Sequence, residues 1–290
     1  MKYLLIFLMA LMPISLKAEE QAPLPVNWQD TKPVIDIPFF KTNLKPGWEE
    51  RDVKYRRWLA CSVRVTAYNG GGGSGTICYY DATNNWAYVI SCGHLFPRGY
   101  KSAEAYKKNP GVKKIMTWYH NDKKLSEPKS YKAEVLCHTW DGIYDVSLMR
   151  FKPDWKPWTC KIAPKDFKLV KGQYYHSCGC DGLREVAHYS VKFEQERNAK
   201  GVTEVLTTQN SPRGGRSGGG VFSDDHQLLF ICSRGGSGWG YWSSLLQIHK
   251  FLNAEGFKFV LDGSLARKVP IKDRQNPDKK YSEDFIPLPF

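Results

Sequence analysis

No apolar run in this chain reaches the roughly 20 residues that a helix needs to cross a bilayer. The longest, Tyr3–Leu16, is broken by Pro13, so a membrane-spanning helix is not expected in the mature protein. Metal-site spacing is missing too. The eight cysteines stand at 61, 78, 92, 137, 160, 178, 180 and 232; Cys178 and Cys180 flank one glycine with no second close pair, whereas zinc-binding cysteines stand two to four residues apart in two sets. No metal and no cofactor is expected. No repeat of motif length occurs, which excludes a solenoid. Acids are scarce: 29 Asp and Glu against 42 Lys and Arg leave a formal net charge of +13. Such a balance suits an anionic surface such as lipid headgroups or acidic cell-wall polymer. The lysines, however, are scattered in pairs such as Lys107-Lys108, Lys113-Lys114 and Lys123-Lys124. They read as a solubilising coat, and no specific nucleic-acid partner is expected.

What is present begins with a leader. Lys2, the apolar stretch and the small Ala18 predict a signal peptide over residues 1–18 and a secreted or periplasmic protein. Cleavage would remove two lysines and no acid, so the mature chain stays strongly basic. Export makes disulfides chemically available, although spacing alone assigns no pairing; structural disulfides or buried thiols are expected.

Residues 19–58 carry prolines at 23, 25, 33, 38 and 46 without a sustained apolar period, which predicts an extended segment. A single domain is then read over 59–262 from short β-rich runs. The first set is Cys61–Ala67, Thr76–Tyr80, Trp86–Ser91, Lys114–Tyr119, Tyr131–His138 and Asp145–Phe151. A stretch with Pro153, Pro157 and Pro164 follows. The second set is Gln173–Cys178, Val186–Glu194, Thr203–Thr208, Gly219–Phe222, Gln227–Ser233 and Trp239–Ser243. Six runs, a proline-rich link and six more predict an all-β fold of two six-stranded antiparallel β-barrels, over about 59–152 and 170–243. Ser243 or Ser244 can cap a C-terminal helix over 244–255, with Leu245, Ile248 and Leu252 on one face and Gly256 ending it. Residues 263–290, with Pro270, Pro277, Pro287 and Pro289, read as a polar tail.

Three local patterns carry chemistry. Ser91-Cys92-Gly93-His94 ends a strand among small residues; Asp145-Val146-Ser147-Leu148-Met149-Arg150-Phe151 starts one with an acid; Gly214-Gly215-Arg216-Ser217-Gly218-Gly219-Gly220 holds a serine in a glycine-rich turn. A serine hydroxyl is too weakly acidic to attack an amide unaided. It needs an imidazole to take its proton and a carboxylate to orient that imidazole. Taken together, in the order His, Asp, Ser, the three motifs resemble those of the trypsin/chymotrypsin family, which has a small-small-His element, an Asp-hydrophobic-small-Leu element and Gly-Asp-Ser-Gly-Gly.

The resemblance covers about residues 59–262 and implies a secreted serine endopeptidase acting on protein or peptide substrates. It makes His94 the general base and acid, Asp145 its orienter and Ser217 the nucleophile, with the N–H groups of Gly215 and Ser217 as the oxyanion hole. Ile231-Cys232-Ser233-Arg234-Gly235 resembles the substrate-pairing strand, with Ser233 near the buried aspartate and Gly235 beside the substrate. Ser211 occupies the position that bears trypsin's acid for Lys or Arg, so a strict basic preference is disfavoured. Cys232 stands where some glutamate-specific relatives carry histidine, which disfavours acidic substrates. Asp141 competes with Asp145 but lies in a Trp-Asp-Gly turn without the following apolar strand.

Two departures matter. Arg216 replaces the aspartate that pairs with a new N-terminus in zymogen-type members, and there is no Ile-Val-Gly-Gly to liberate. The chain is thus closer in style to bacterial trypsin-like peptidases, which Gly75 and Tyr174–Gly179 also fit. The Arg216 guanidinium is expected at the surface or paired with an acid such as Asp224 or Asp225. Two other readings compete. A protease-like domain that binds peptides or anionic surfaces without cutting would suit the basic charge, but the three triad residue types argue against it. Gly215-Arg216-Ser217-Gly218-Gly219 also fits the Gly-x-Ser-x-Gly elbow of α/β-hydrolase esterases; that fold needs a helix after the serine, with its acid and histidine downstream.

Overall fold

The computed structural model describes residues 55–263, apart from 68–69, 97–111, 121–122, 141–144 and 200–201. The leader, most of the 19–58 segment, Asp141 and the tail beyond 263 lie outside the described residues. Residues 55–60 are helical rather than extended. The cause is local packing: the Tyr55 ring stacks on His188 at 3.6 Å and that of Trp58 on His176 at 3.9 Å. No helix among the described residues is long and apolar enough to cross a membrane.

Seven strands build the first sheet: β1 Ser62–Ala67, β2 Gly72–Asp81, β3 Trp86–Ser91, β4 Val112–His120, β5 Lys123–Tyr131, β6 Ala133–Trp140 and β7 Asp145–Phe151. Their hydrogen-bonded order is β5-β4-β1-β2-β3-β7-β6. The two edges of that order, β5 and β6, are consecutive in the chain with only Lys132 between them. One bent run therefore pairs with β4 on one side (Tyr131 opposite Ile115) and β7 on the other (Ala133 opposite Phe151), closing a six-walled barrel. Val63, Val65, Ile77, Val89, Ile115, Met149 and Phe151 fill it. Sequence reading found only the second half of the bent run. β5 carries three lysines, a proline and a glutamate, and as an exposed strand it has no apolar alternation to betray it.

β2 also starts earlier than Thr76, at Gly72. Glycines are poor strand formers, but here close neighbours demand them. A Cβ on Gly73 would come within 2.5 Å of Ser217 O, and one on Gly75 within 2.6 Å of Val89 Cγ1.

The second barrel comprises β9 Tyr174–Gly179, β10 Ala187–Ala199, β11 Val202–Thr208, β12 Gly220–Phe222, β13 Gln227–Gly236 and β14 Trp239–Ser243. β12 pairs with both β9 and β13, which closes the ring. A two-residue strand, β8 Lys161–Ile162, adds in parallel to β13; two residues carry no periodicity for a sequence to show. Trp242 is fully buried in this barrel, and its indole N–H donates to Thr207 Oγ1 at 2.8 Å. A strand, β12, follows Ser217 where the esterase elbow requires a helix, and every barrel strand is antiparallel to its neighbours. The α/β-hydrolase reading is thereby overturned.

The C-terminal helix spans Leu245–Ala254, and the Ser244 hydroxyl caps it by accepting from Gln247 N. Leu245, Ile248, Phe251 and Leu252 are buried, and Gly256 ends the helix at φ +72°. Beyond it, Phe259 reaches back to the first barrel, with its ring 5.2 Å from those of both Tyr79 and Tyr88. The segment thus straps the two barrels together. Truncating this anchor leaves a cavity between aromatic rings, so Phe259→Ala should lower stability by about 3 kcal/mol, measured by urea unfolding.

Candidate active site

β3 and β7 are neighbours, with Ser91 opposite Ser147. The turn that leaves β3 therefore emerges beside the start of β7. Gly93 N and His94 N both donate to Asp145 Oδ1 at 2.8 Å, and His94 Nδ1 lies 2.8 Å from Asp145 Oδ2. Ser233, from β13, donates to the same Oδ2 at 2.5 Å. A carboxylate only accepts, so Nδ1 carries the proton facing it and a neutral ring keeps its lone pair on Nε2. Gly93 is obligatory, since a Cβ would sit 1.8 Å from Thr139 O.

Ser217 lies in a turn held by Arg216 N to Arg213 O at 3.1 Å and Gly219 N to Arg216 O at 2.8 Å. Gly218 at φ +83° presses against the start of the histidine turn: a Cβ there would stand 1.9 Å from Ser91 Oγ and 2.9 Å from Cys92 N. Gly73 touches both turns: a Cβ there would meet Ser217 O at 2.5 Å and the Leu95 side chain at 2.9 Å. Ser74 N donates to Ser217 O at 2.6 Å. The serine and histidine turns are thus side by side. Ser217 Oγ makes no hydrogen bond among the described residues, and His94 Nε2 lies 3.7 Å from Cys92 Sγ. The N–H groups of Gly215 and Ser217 likewise have no acceptor among the described residues.

Neither a family model nor a curated protein matches this sequence. Solved structures do. Rv3671c from M. tuberculosis H37Rv, in an inactive form, matches with a TM-score of 0.51 at 14% identity over 73% of this chain and 94% of that one. The HtrA-type protease AlgW, crystallised with a tripeptide, gives 0.51 at 15% over 72% and 63%. A serine endoprotease from Yersinia pestis gives 0.51 at 14% over 72% and 66%. The fold is that of the trypsin-like serine proteases. At these identities the fold is what is shared.

Within this trypsin-like fold, the residue before Ser217 is the largest departure. Arg216 is fully buried. Its Nε and one Nη donate to the two oxygens of Asp181 at 2.8 and 2.9 Å; further bonds reach Ser177 Oγ and Ala187 O, each at 3.2 Å. The guanidinium also lies 3.7 Å from the Tyr189 ring centre. Burial, the largest single influence, pulls its pKa down, but the hydrogen bonds to Asp181 together with the charge interactions with Tyr189, Asp181 and Cys178 outweigh it and the net shift is upward. Of the partners expected from sequence, Asp224 instead accepts from His176 Nε2 at 2.8 Å, a bond that holds its carboxyl below the ordinary range. Asp181 was missed because it sits in a short turn after β9, with nothing local to link it to a residue 35 positions away.

Ser211 and Gly235, two of the residues that the resemblance puts at the substrate, lie against each other. Ser211 Oγ donates to Trp239 O at 2.8 Å. Gly235 lies directly over the same segment: a Cβ there would come within 2.2 Å of Pro212 O and 3.0 Å of Ser211 Oγ. Ser211 and Gly235 are thus brought together, whereas Ser233 belongs to the aspartate.

Cys92, His94 and Asp145 bring three ligand-type atoms within 4.8 Å of one another. Burial, with the Asp145 charge adding to it, raises the Cys92 thiol well above its ordinary pKa, and the Asp145 oxygens already accept four hydrogen bonds. All eight cysteines are buried free thiols.

The close approach of the two turns is testable by stability. Gly218→Ala should cost about 3 kcal/mol or more. Gly214→Ala, where a Cβ meets nothing within 4 Å, should stay within about 0.5 kcal/mol in the same urea titration.

Proposed function

We propose that this protein is an exported serine endopeptidase. The observation that carries the reading is the Asp145 carboxylate, which accepts four hydrogen bonds, one of them from His94 Nδ1, and so sets the tautomer whose Nε2 bears the lone pair. His94 Nε2 takes the Ser217 proton as Oγ attacks the scissile carbonyl carbon. The carbonyl oxygen becomes anionic and is received by the N–H groups of Gly215 and Ser217. His94 then gives its proton to the leaving amine, the C–N bond breaks and an acyl-enzyme remains. A water, deprotonated by the same nitrogen, attacks the ester; the proton returns to Ser217 and the acid product leaves. Asp145 stays ionised throughout and stabilises the imidazolium. Export rests on the leader over residues 1–18. An anionic-surface role draws less support: among the described residues Lys124, Lys129, Arg197 and Arg234 each pair with an acid, which breaks up a basic patch.

Wild-type protein should be modified by a peptidyl phosphonate on one residue, identified as Ser217 by peptide mass, and should cleave a denatured protein. Ser217→Ala should do neither while keeping its circular dichroism spectrum. An unlabelled, folded wild type would favour the non-cutting, peptide-binding reading. Ser211 carries no charge at the position where the resemblance puts trypsin's acid, and its hydroxyl is taken up by Trp239 O, so no preference for basic residues is expected. In a peptide series varied before the scissile bond, Lys and Arg should not exceed Ala in kcat/KM.

A further inference from the structure

The N–H groups of Gly215 and Ser217 flank a residue whose side chain is wholly inside the protein. A buried guanidinium is tolerated only when it is paired and its donors are satisfied. Arg216 meets that condition through the two-pronged bond to Asp181, with Ser177 Oγ and Ala187 O taking other donors. A planar fork held on a carboxylate fixes orientation as well as distance. The direction of the Arg216 side chain is therefore set, and with it the two peptide units on either side of its Cα.

The same turn grips the loop a second time through backbone. Gly182 N donates to Gly214 O at 2.6 Å. Cys180 N donates to Ser74 Oγ at 2.7 Å, and that hydroxyl donates to Gly215 O at 2.8 Å. Gly215, at φ +90°, has Cys180 O and Leu183 N where a Cβ would go, at 2.4 and 2.6 Å. Side chain and backbone of residues 180–183 thus hold the 214–217 segment from two directions, and all of these groups lie within the folded second barrel and β2.

We propose that Asp181 is the positioning residue of the oxyanion loop: its ion pair with Arg216 sets the Gly215 and Ser217 N–H groups for catalysis without a newly liberated N-terminus. The inference rests on the serine-peptidase reading above. The Asp181 side chain is 28% exposed while that of Arg216 is 0% exposed. Removing the carboxylate charge therefore strands the arginine, and the guanidinium relaxes toward water by turning the loop with it.

The test uses the mature chain, confirmed uncut by mass, with active sites counted by phosphonate titration. Wild type should label stoichiometrically without any nicking. Asp181→Asn should retain its fold but lose about 100-fold in kcat per titrated site, with KM within threefold, because oxyanion contacts form mainly in the transition state. Asp181→Glu should recover most of the loss. A folded Asp181→Asn with wild-type kcat per site overturns the proposal, as does a loss confined to the number of active sites, which would mark a purely structural role. Should Asp181→Asn fail to fold, Arg216→Lys replaces it, since lysine keeps the charge but not the fork. A tenfold lower kcat at unchanged KM then supports the proposal, and an unchanged kcat overturns it. A wild type that labels while Asp181→Asn turns over normally sinks this inference alone; a wild type that neither labels nor cleaves overturns both readings.

Discussion

The two barrels meet on one carboxylate. Asp145 is drawn from the first barrel and receives its own barrel's turn through Gly93 N, His94 N and the His94 ring, while Ser233 of the second barrel bonds the same group. Its main-chain carbonyl accepts from Ser243, also of the second barrel. A carboxylate only 14% exposed cannot lose such partners cheaply, since an orphaned buried charge costs several kcal/mol. Any slip of one barrel against the other would open these bonds. The register of the halves and the orientation of the histidine are therefore one constraint.

Close backbone approach does the rest. Gly73, Gly93 and Gly218 each lie where a Cβ would overlap a neighbour from a different strand or turn. Their placement lets the serine turn rest on β2 and against the histidine turn. The strap through Phe259 closes the assembly on the far side by packing between Tyr79 and Tyr88. On the N-terminal side, Tyr55 and Trp58 stack on a hydrogen-bonded pair of buried histidines, His176 and His188, 2.9 Å apart. The helical segment 55–60 is thereby held on the second barrel before the chain enters the first.

Several features were legible in the residues themselves. β3, β7 and β14 have the bounds read from the sequence, because each is a compact apolar run ended by a turn residue. The C-terminal helix was readable from Ser244 and the spacing of Leu245, Ile248 and Leu252. β5 and β8 were not, being respectively a polar exposed strand and a two-residue bridge; their pairing is dictated by neighbours rather than by composition. The strand read from Thr76 left out the glycine run before it, although its lack of side chains is what allows β2 to pass beneath Ser217.

By itself the sequence determined the order of the chemical groups, the all-β alternation and the identity of His94, Asp145 and Ser217 as candidates, since each follows from local residue types. Only the tertiary structure decided which acid meets Arg216. Pairing of a buried charge is settled by which elements fold together, and Asp181, Asp224 and Asp225 are indistinguishable as isolated carboxylates. It likewise decided that Ser233 serves the aspartate and that Gly235 closes over Pro212. Both are contacts between segments far apart in sequence, set by how the ring of β9 to β14 closes and by where that ring docks on Asp145.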